Sequence, residues 1–387
     1  MSTERTDQWT FGLYSGQAGL ANLHAEWRAM VVQTPAAGYL HTPEWLGAYL
    51  HSFATNANRV VCIAARHAGQ LRGVFTFESV RQGLPPLGLN TLRLIKNDHM
   101  HLADCASADA GSGVWTALLA WMARQRDLKW DLMWTQGVAE DSTLGRWISV
   151  TEPTPRISDA RHATAWLDCS QGIEQALGGV TRSHRQNVRR LMRRAEQSGE
   201  LRYDIITTPE ALPAALQQFL EVESSGWKGD AGSAILRDPQ LVAFYRELID
   251  RFGPLGQCRI NLLKLGDETI AAQFGLVTAR QLNLLKIGYR PEHSQVAPGN
   301  LIMHKTIESV CDDPQLDRLS LVTNPPWAHL WKPQLTPVQR HILFRPGLRG
   351  AVIHKLLQRA FAHRHRAEEA SHAAPASSPD LSTSPQS

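Results

Sequence analysis

The chain has 387 residues, 43% of them hydrophobic and 20% charged, which is ordinary globular composition with material for two compact cores. A formal net charge of +4 does not by itself mark a nucleic-acid-binding protein, and five scattered cysteines (Cys62, Cys105, Cys169, Cys258, Cys311), odd in number and without a CxxC pair, argue against a disulfide framework or a zinc site. A polar N-terminus and the lack of any apolar run of membrane-spanning length make a cytoplasmic protein the expectation.

In chain order, Trp9 to Ser15 reads as a strand and Gly19 to Val31 as a helix. Pro43 opens a second helix through Leu50, with Thr42 as N-cap and Pro43 at the first helical position. Val60 to Ala65 and Val74 to Val80 are β-rich and flank His67-Ala68-Gly69-Gln70, a hairpin signature. Leu92 to Ile95 is a further strand, Val114 to Arg124 a helix, and Asp131 to Gln136 and Ala163 to Asp168 strands.

The second half repeats the order. Arg202 to Thr207 is a strand, and Pro209, capped by Thr208, starts a helix with Leu212, Leu216, Phe219 and Leu220 on one face. Leu241 to Phe252 is a second amphipathic helix. Arg259 to Leu265, Ile270 to Val277 and Leu282 to Tyr289 are strands joined by turns short enough to force an antiparallel meander. A helix from about Gly299 to Cys311 and strands at Leu319 to Val322 and Gln339 to Phe344 follow. The reading is α/β, with two tandem domains of similar topology spanning 1–165 and 166–350. Residues 351–387 form a basic helical segment and an Ala/Ser/Pro-rich end that cannot build a core.

Ile287-Gly288-Tyr289-Arg290 ends the third strand of the second meander, and Pro298-Gly299-Asn300-Leu301 starts the helix after it. This arrangement resembles the acyl-CoA site of GNAT acyltransferases, in the BioF2-like or CelD/BcsL-type branch, related to the Fem transferases that add amino acids to peptidoglycan precursors. Gly38 to Leu46 looks like the branch's N-terminal "tPeWL" segment, Ser183 to Arg194 is similar to its basic helix, Glu223 to Gly229 matches its "SGWKG" stretch, and Trp331-Lys332-Pro333 fits its lysine-containing close. The resemblance implies tandem GNAT-like domains with mixed central sheets flanked by helices, the first domain degenerate. Ordinary GNATs carry a glycine-rich Q/R-x-x-G-x-G/A loop, of which only Gly299 stands here.

The chemistry follows from residue types. A helix beginning at Pro298-Gly299 presents unpaired backbone N–H groups, with a proline that needs no partner and a glycine that admits close approach of a phosphate. The resemblance implies that Lys286, Ile287, Gly288, Tyr289, Gln295, Val296, Ala297, Pro298, Gly299 and Asn300 hold acyl-CoA, a co-substrate rather than a permanently bound cofactor. Glu223 continues the apolar face of its helix, and a carboxylate held away from water is suited to take a proton from an acceptor. It ranks before Glu221 as base, although a helix-end acid paired with Lys228 or an arginine explains it too. Trp227, Lys228 and Trp331 are candidate acceptor contacts, Lys332 a holder of a carboxylate or phosphate, and Asn324 an orienting group; a core tryptophan beside a surface lysine is the bland account.

The run Arg182, Arg185, Arg189, Arg190, Arg193, Arg194 carries an apolar stripe and reads first as a solvated basic helix, and second as a surface for a phosphate-rich partner such as tRNA or a lipid-linked sugar. His99-x-His101-x-x-Asp104 has metal-ligand residue types but no completing cluster, so no metal is expected. The expected activity is acyl transfer, most simply acetyl, from acyl-CoA to an amine or hydroxyl of a small-molecule or glycan-type acceptor, in cell-envelope or exopolysaccharide chemistry. The alternatives are a Fem-like aminoacyl-tRNA-dependent transferase and a non-catalytic binding module.

Overall fold

Two tight turns set the topology. In the computed structural model, which describes residues 9–82, 88–96, 101–108, 113–150, 155–225 and 234–373, strands β2 (Val60–His67) and β3 (Gln70–Gln82) are joined by Ala68 and Gly69, both at positive φ. Strands β10 (Glu268–Thr278) and β11 (Gln281–Tyr289) are joined in the same way by Ala279 and Arg280. Two central residues at positive φ match the right-handed twist of antiparallel strands and close each hairpin without splaying it. Arg280 is held there by hydrogen bonds to the Asp317 carboxylate and the Pro314 carbonyl.

Around these hairpins the halves repeat one order. The first runs β1 (Trp9–Ser15), α1 (Gly16–Val32), α2 (Pro43–Ser52), β2, β3, β4 (Leu89–Leu94), the two-residue β5 (Ala106–Ser107), α3 (Gly113–Arg124), β6 (Leu132–Ala139) and α4 (Thr143–Val150). The second runs β7 (Arg156–Asp168), α5 (Ile173–Ala176), α6 (Arg182–Ser198), β8 (Leu201–Ile206), α7 (Leu212–Ser225), α8 (Pro239–Phe252), β9 (Cys258–Leu265), β10, β11, α9 (Pro298–Cys311), β12 (Arg318–Ser320), β13 (Gln334–Phe344) and α10 (Leu348–Ala373). In each half the meander ends on a strand paired in parallel with the one after its helix, β4 with β6 and β11 with β12.

The halves do not make separate sheets. β13 pairs with β6 on one side and with β7 on the other, while β7 also pairs with β12. The chain's last strand thus sits beside the first half, and the strand that opens the second half sits between β12 and β13. One continuous mixed sheet results, ordered β1-β2-β3-β4-β6-β13-β7-β12-β11-β10-β9-β8. The boundary expected at 165/166 falls inside β7.

One core joins α1, α2, α7 and α8 through Trp27, Tyr49, Phe219 and Phe252. The other face carries one cluster under α3 and α4 and another under α6 and α9. Thr42 caps α2 as expected, its hydroxyl accepting from Trp45 N–H. Two expectations need correction. Helix α7 starts at Leu212 rather than Pro209: Pro209 lies in a turn whose closing amides, Ala211 and Leu212, donate to the Thr208 carbonyl. Strand β12 ends at Ser320 because Val322 takes φ +60°, a left-handed conformation foreign to a β-branched residue, with its N–H donating to Ser320 Oγ. No helix among the described residues is long and apolar enough to cross a membrane.

Candidate functional site

The parting of β11 and β12 organises the site. The two strands pair only at Gln281/Arg318, Leu282/Leu319 and Asn283/Ser320, after which β12 ends and β11 continues to Tyr289. From Leu284 onward one edge of β11 is bonded to β10, and among the described residues no strand pairs with the other. A bulge deepens the opening: Phe274 faces Lys286 and Gly275 faces Leu284, leaving Leu285 as the extra residue. Val322, strained at the end of β12, and Leu285 both line a small cavity with Tyr39, Trp45, His101 and Tyr245. A strained backbone beside an open strand edge is a feature that folding alone does not require.

At the far end of β11 stands the start of α9. Ala297, the N-cap residue, is left-handed at φ +47°, Pro298 occupies the first helical position, and no side chain caps the helix. Gly299 lies against the Tyr289 ring, since a Cβ there would stand 3.4 Å from Tyr289 Cδ1. Gln295 is exposed, Gly299 and Asn300 are half-exposed, and Val296 and Pro298 are buried as the base of the turn. Lys286 and Ile287 are half-buried on the open stretch, and Tyr289 is exposed. The residues expected to hold acyl-CoA lie along the stretch of β11 that no described strand continues and on to the start of α9, which no side chain caps.

Beneath the track lies Glu223, 2% exposed. Its Oε2 accepts the Ile235 N–H at 2.9 Å, so the carboxylate closes the chain across the segment between α7 and α8. Burial holds the Tyr245 hydroxyl protonated well above its usual range, and the charge of Glu223 adds to that shift. Glu221 is exposed and accepts from Gln217, away from the opening. Trp227 and Lys228 lie outside the described residues.

The remaining expected residues sit elsewhere. Asn324 and Lys332 are exposed on the loop between β12 and β13. Lys332 lies against Gly179, on the side of the sheet covered by α6 and α9, whereas Glu223 belongs to the α7 layer on the other side. The parity of strand side chains separates these faces, and sequence spacing across a long loop carries no sign of it. Trp331 is 1% exposed and packs in the core of that side, edge-on to His184 and stacked on His304. Its indole N–H and His184 Nε2 are buried without a hydrogen-bond partner. With Arg189 and Met192 these rings line a cleft of about 460 Å³ between α6 and α9. Burial lowers the pKa of both His184 and His304, so each imidazole is biased to its neutral, base-competent form. Val322, Tyr245, His184 and His304 were not foreseen; the only sequence trace is the spacing of His184 one turn before buried Val188.

Of the discounted metal-type constellation, His99 lies outside the described residues and Asp104 is committed to His41. The Gly38 N–H donates to His41 Nδ1, which places the ring proton on Nε2, facing Asp104 Oδ2 at 2.9 Å. No metal-binding cluster occurs among the described residues.

Residues 182–327 match the acetyltransferase (GNAT) domain family, the segment that contains α6 to β12 and the open strand edge. No curated protein matches the chain. Among solved structures, FemX superposes with a TM-score of 0.54 at 13% identity, covering 82% of this chain and 95% of that one. A protein of unknown function from Bacteroides thetaiotaomicron gives 0.54 at 10% identity, covering 83% and 97%. The C-terminal domain of a putative lysylphosphatidylglycerol synthetase from Agrobacterium fabrum gives 0.51 at 9% identity, covering 86% and 94%. At these identities the likeness is one of fold, and the fold is GNAT-like α/β.

Proposed function

We propose that this protein transfers an acyl group from acyl-CoA to an amine or hydroxyl acceptor, with its working site in the second half. The observation that carries the reading is the parting of β11 from β12 after Asn283 and Ser320. It leaves β11 past Asn283 without a described strand on that side, an opening along which the amide-bearing arm of coenzyme A can run. That opening leads to the start of α9, which no side chain caps and which is suited to the diphosphate. In the transfer, the acceptor lone pair attacks the thioester carbonyl, the carbon–sulfur bond breaks, and the acceptor proton passes to a base. Glu223 is a buried carboxylate packed against Gly288 of the track, and the Tyr245 hydroxyl, kept protonated by burial, is suited to return a proton to the leaving thiolate.

The first half is proposed to be a degenerate partner domain, its role to wall the opening with Tyr39, Trp45 and His101. Membership of the CelD/BcsL-type branch, and acceptors from envelope or exopolysaccharide chemistry, rest on the resemblance of Gly38 to Leu46 and of Trp331-Lys332-Pro333. Calorimetric titration of the purified chain with acetyl-CoA tests the donor: saturable heat is expected, and none at millimolar ligand removes the assignment.

A second reading, a Fem-like transferase fed by aminoacyl-tRNA, draws on the exposed Arg182, Arg189, Arg190, Arg193 and Arg194 of α6. It requires tRNA binding that weakens steeply with salt. A gel shift with total tRNA separates the two donors.

A further inference from the structure

Helix α10 carries more apolar surface than the fold uses. Ile353, Leu357 and Phe361 turn inward and pack against Leu132, Ile342 and Phe344. A second stripe, Leu348, Val352 and Leu356, recurs every four residues on the outer side, and these side chains are 84%, 50% and 60% exposed. Three large apolar residues in a row on one exposed helix face form a surface that water disfavours.

The stripe begins at a basic hollow. A cavity of about 510 Å³ opens at the first turn of α10, with Leu348 in its wall beside Arg124, Arg126, Lys129, Arg345 and Arg349. The one acid in that wall, Asp131, is already engaged by the Asn90 N–H at 2.8 Å and by Arg349 Nε at 2.8 Å. Among the described residues Arg124, Arg126 and Lys129 have no ion-pair partner, and all three are exposed. Further along, Lys355 and Arg359 are exposed beside the stripe. The geometry is fixed by the turn before the helix. Gly347 takes φ +118°, and a Cβ on Gly350 would run into the Arg345 carbonyl oxygen, so the helix leaves β13 with Arg345 and Arg349 on the rim of the hollow.

We propose that this face docks the protein on an anionic lipid bilayer, with Leu348, Val352 and Leu356 entering the headgroup boundary and a phosphate headgroup seated in the hollow. An apolar stripe bordered by cations is the pattern that binds the plane of a negatively charged membrane. The charge selects the occupant: a neutral apolar partner would leave the cations of the hollow facing it without counter-charge. The proposal is independent of the acyl-CoA reading, because the hollow is built from α3, the start of β6 and α10, none of which contributes to the open edge of β11.

Co-sedimentation of the full chain with vesicles tests it. Binding is expected to vesicles of equal parts phosphatidylglycerol and phosphatidylcholine, and not to phosphatidylcholine alone. Substituting Leu348→Ser, Val352→Ser and Leu356→Ser together should lower the bound fraction at least tenfold, and so should Arg124→Glu, Arg126→Glu and Lys129→Glu together. Both sets change exposed side chains, and circular dichroism checks that the fold persists. The proposal is overturned if the chain ignores the anionic vesicles, or if either triple variant binds them as the parent does. It is equally overturned if light scattering shows a dimer that the serine variant converts to monomer, which would make a second copy the occupant of the stripe.

Discussion

Gly288 lies directly against Glu223: a Cβ on Gly288 would stand 2.7 Å from Glu223 Cα and 3.0 Å from its amide nitrogen. The missing side chain lets α7 rest on β11 where β12 no longer pairs with that strand, and so brings the buried carboxylate to the proposed acyl-CoA track. Gly288→Val forces backbone apart from backbone. It should lower stability by about 1–3 kcal/mol, read as a shifted urea midpoint, and weaken acetyl-CoA binding in the folded fraction.

Glu223 anchors the Ile235 N–H, and one substitution separates that duty from the proposed one of base. Glutamine keeps an oxygen to accept the Ile235 N–H but cannot take a proton. Glu223→Gln should therefore retain the parent's melting temperature while kcat falls roughly a hundredfold or more. Unchanged kcat in a folded Gln variant would reduce Glu223 to an anchor.

The start of α9 offers a direct electrostatic test. Gly299 has room for a side chain, the nearest atom being 3.4 Å from a built Cβ. Gly299→Asp places a carboxylate where the diphosphate is proposed to bind, and calorimetry should show at least about a tenfold loss of acetyl-CoA affinity, the scale of one charge–charge term of 1.4 kcal/mol. Equal affinity would move the diphosphate elsewhere.

A polar network fastens α9 to the sheet. Thr306 Oγ lies 2.6 Å from Gln273 Oε1, 3.3 Å from Asn261 Nδ2 and 3.0 Å from the Tyr203 hydroxyl. Arg259 joins through Asn261 Oδ1 at 2.8 Å. Thr306→Val keeps the shape and strands those partners, so denaturant unfolding should show a loss of about 1–3 kcal/mol.

His341 sets an acid limit on stability. Burial, reinforced by the charge of Arg156, lowers its pKa from the usual 6.5 to about 4, and its Nδ1 lies 2.8 Å from Ser158 Oγ. The unfolded chain binds this proton more readily than the folded one. The contribution of His341, roughly 3 kcal/mol, is therefore fully present above pH 6.5 and is lost as the pH drops toward 4. His341→Gln should flatten that limb in pH-dependent unfolding; a limb of unchanged slope would assign it to other groups.

The local elements were open to reading because their causes are local. Thr42-Pro43 marks a helix start, and Ala68-Gly69 marks a hairpin, through backbone preferences that act within a few residues. Val322 departs from the expected strand for the same reason: a β-branched residue continues a strand by preference, and only its surroundings hold it at φ +60°. Among the candidate residues, the stretch from Lys286 to Asn300 is contiguous in sequence and runs from the end of β11 into the first turn of α9. Glu223 and Lys332 are far apart in sequence, and the structure puts them on opposite faces of the sheet.

The sequence by itself determined the period of the longer elements, the two tight hairpin turns and the helix start at Pro298, because steric and hydrogen-bonding rules at each residue suffice for these. Only the tertiary structure decided that β13 crosses to β6, that β11 and β12 part after three pairs, and that Leu348, Val352 and Leu356 remain uncovered. Those outcomes depend on which distant surfaces bury one another most completely, a competition among whole layers that no local window contains.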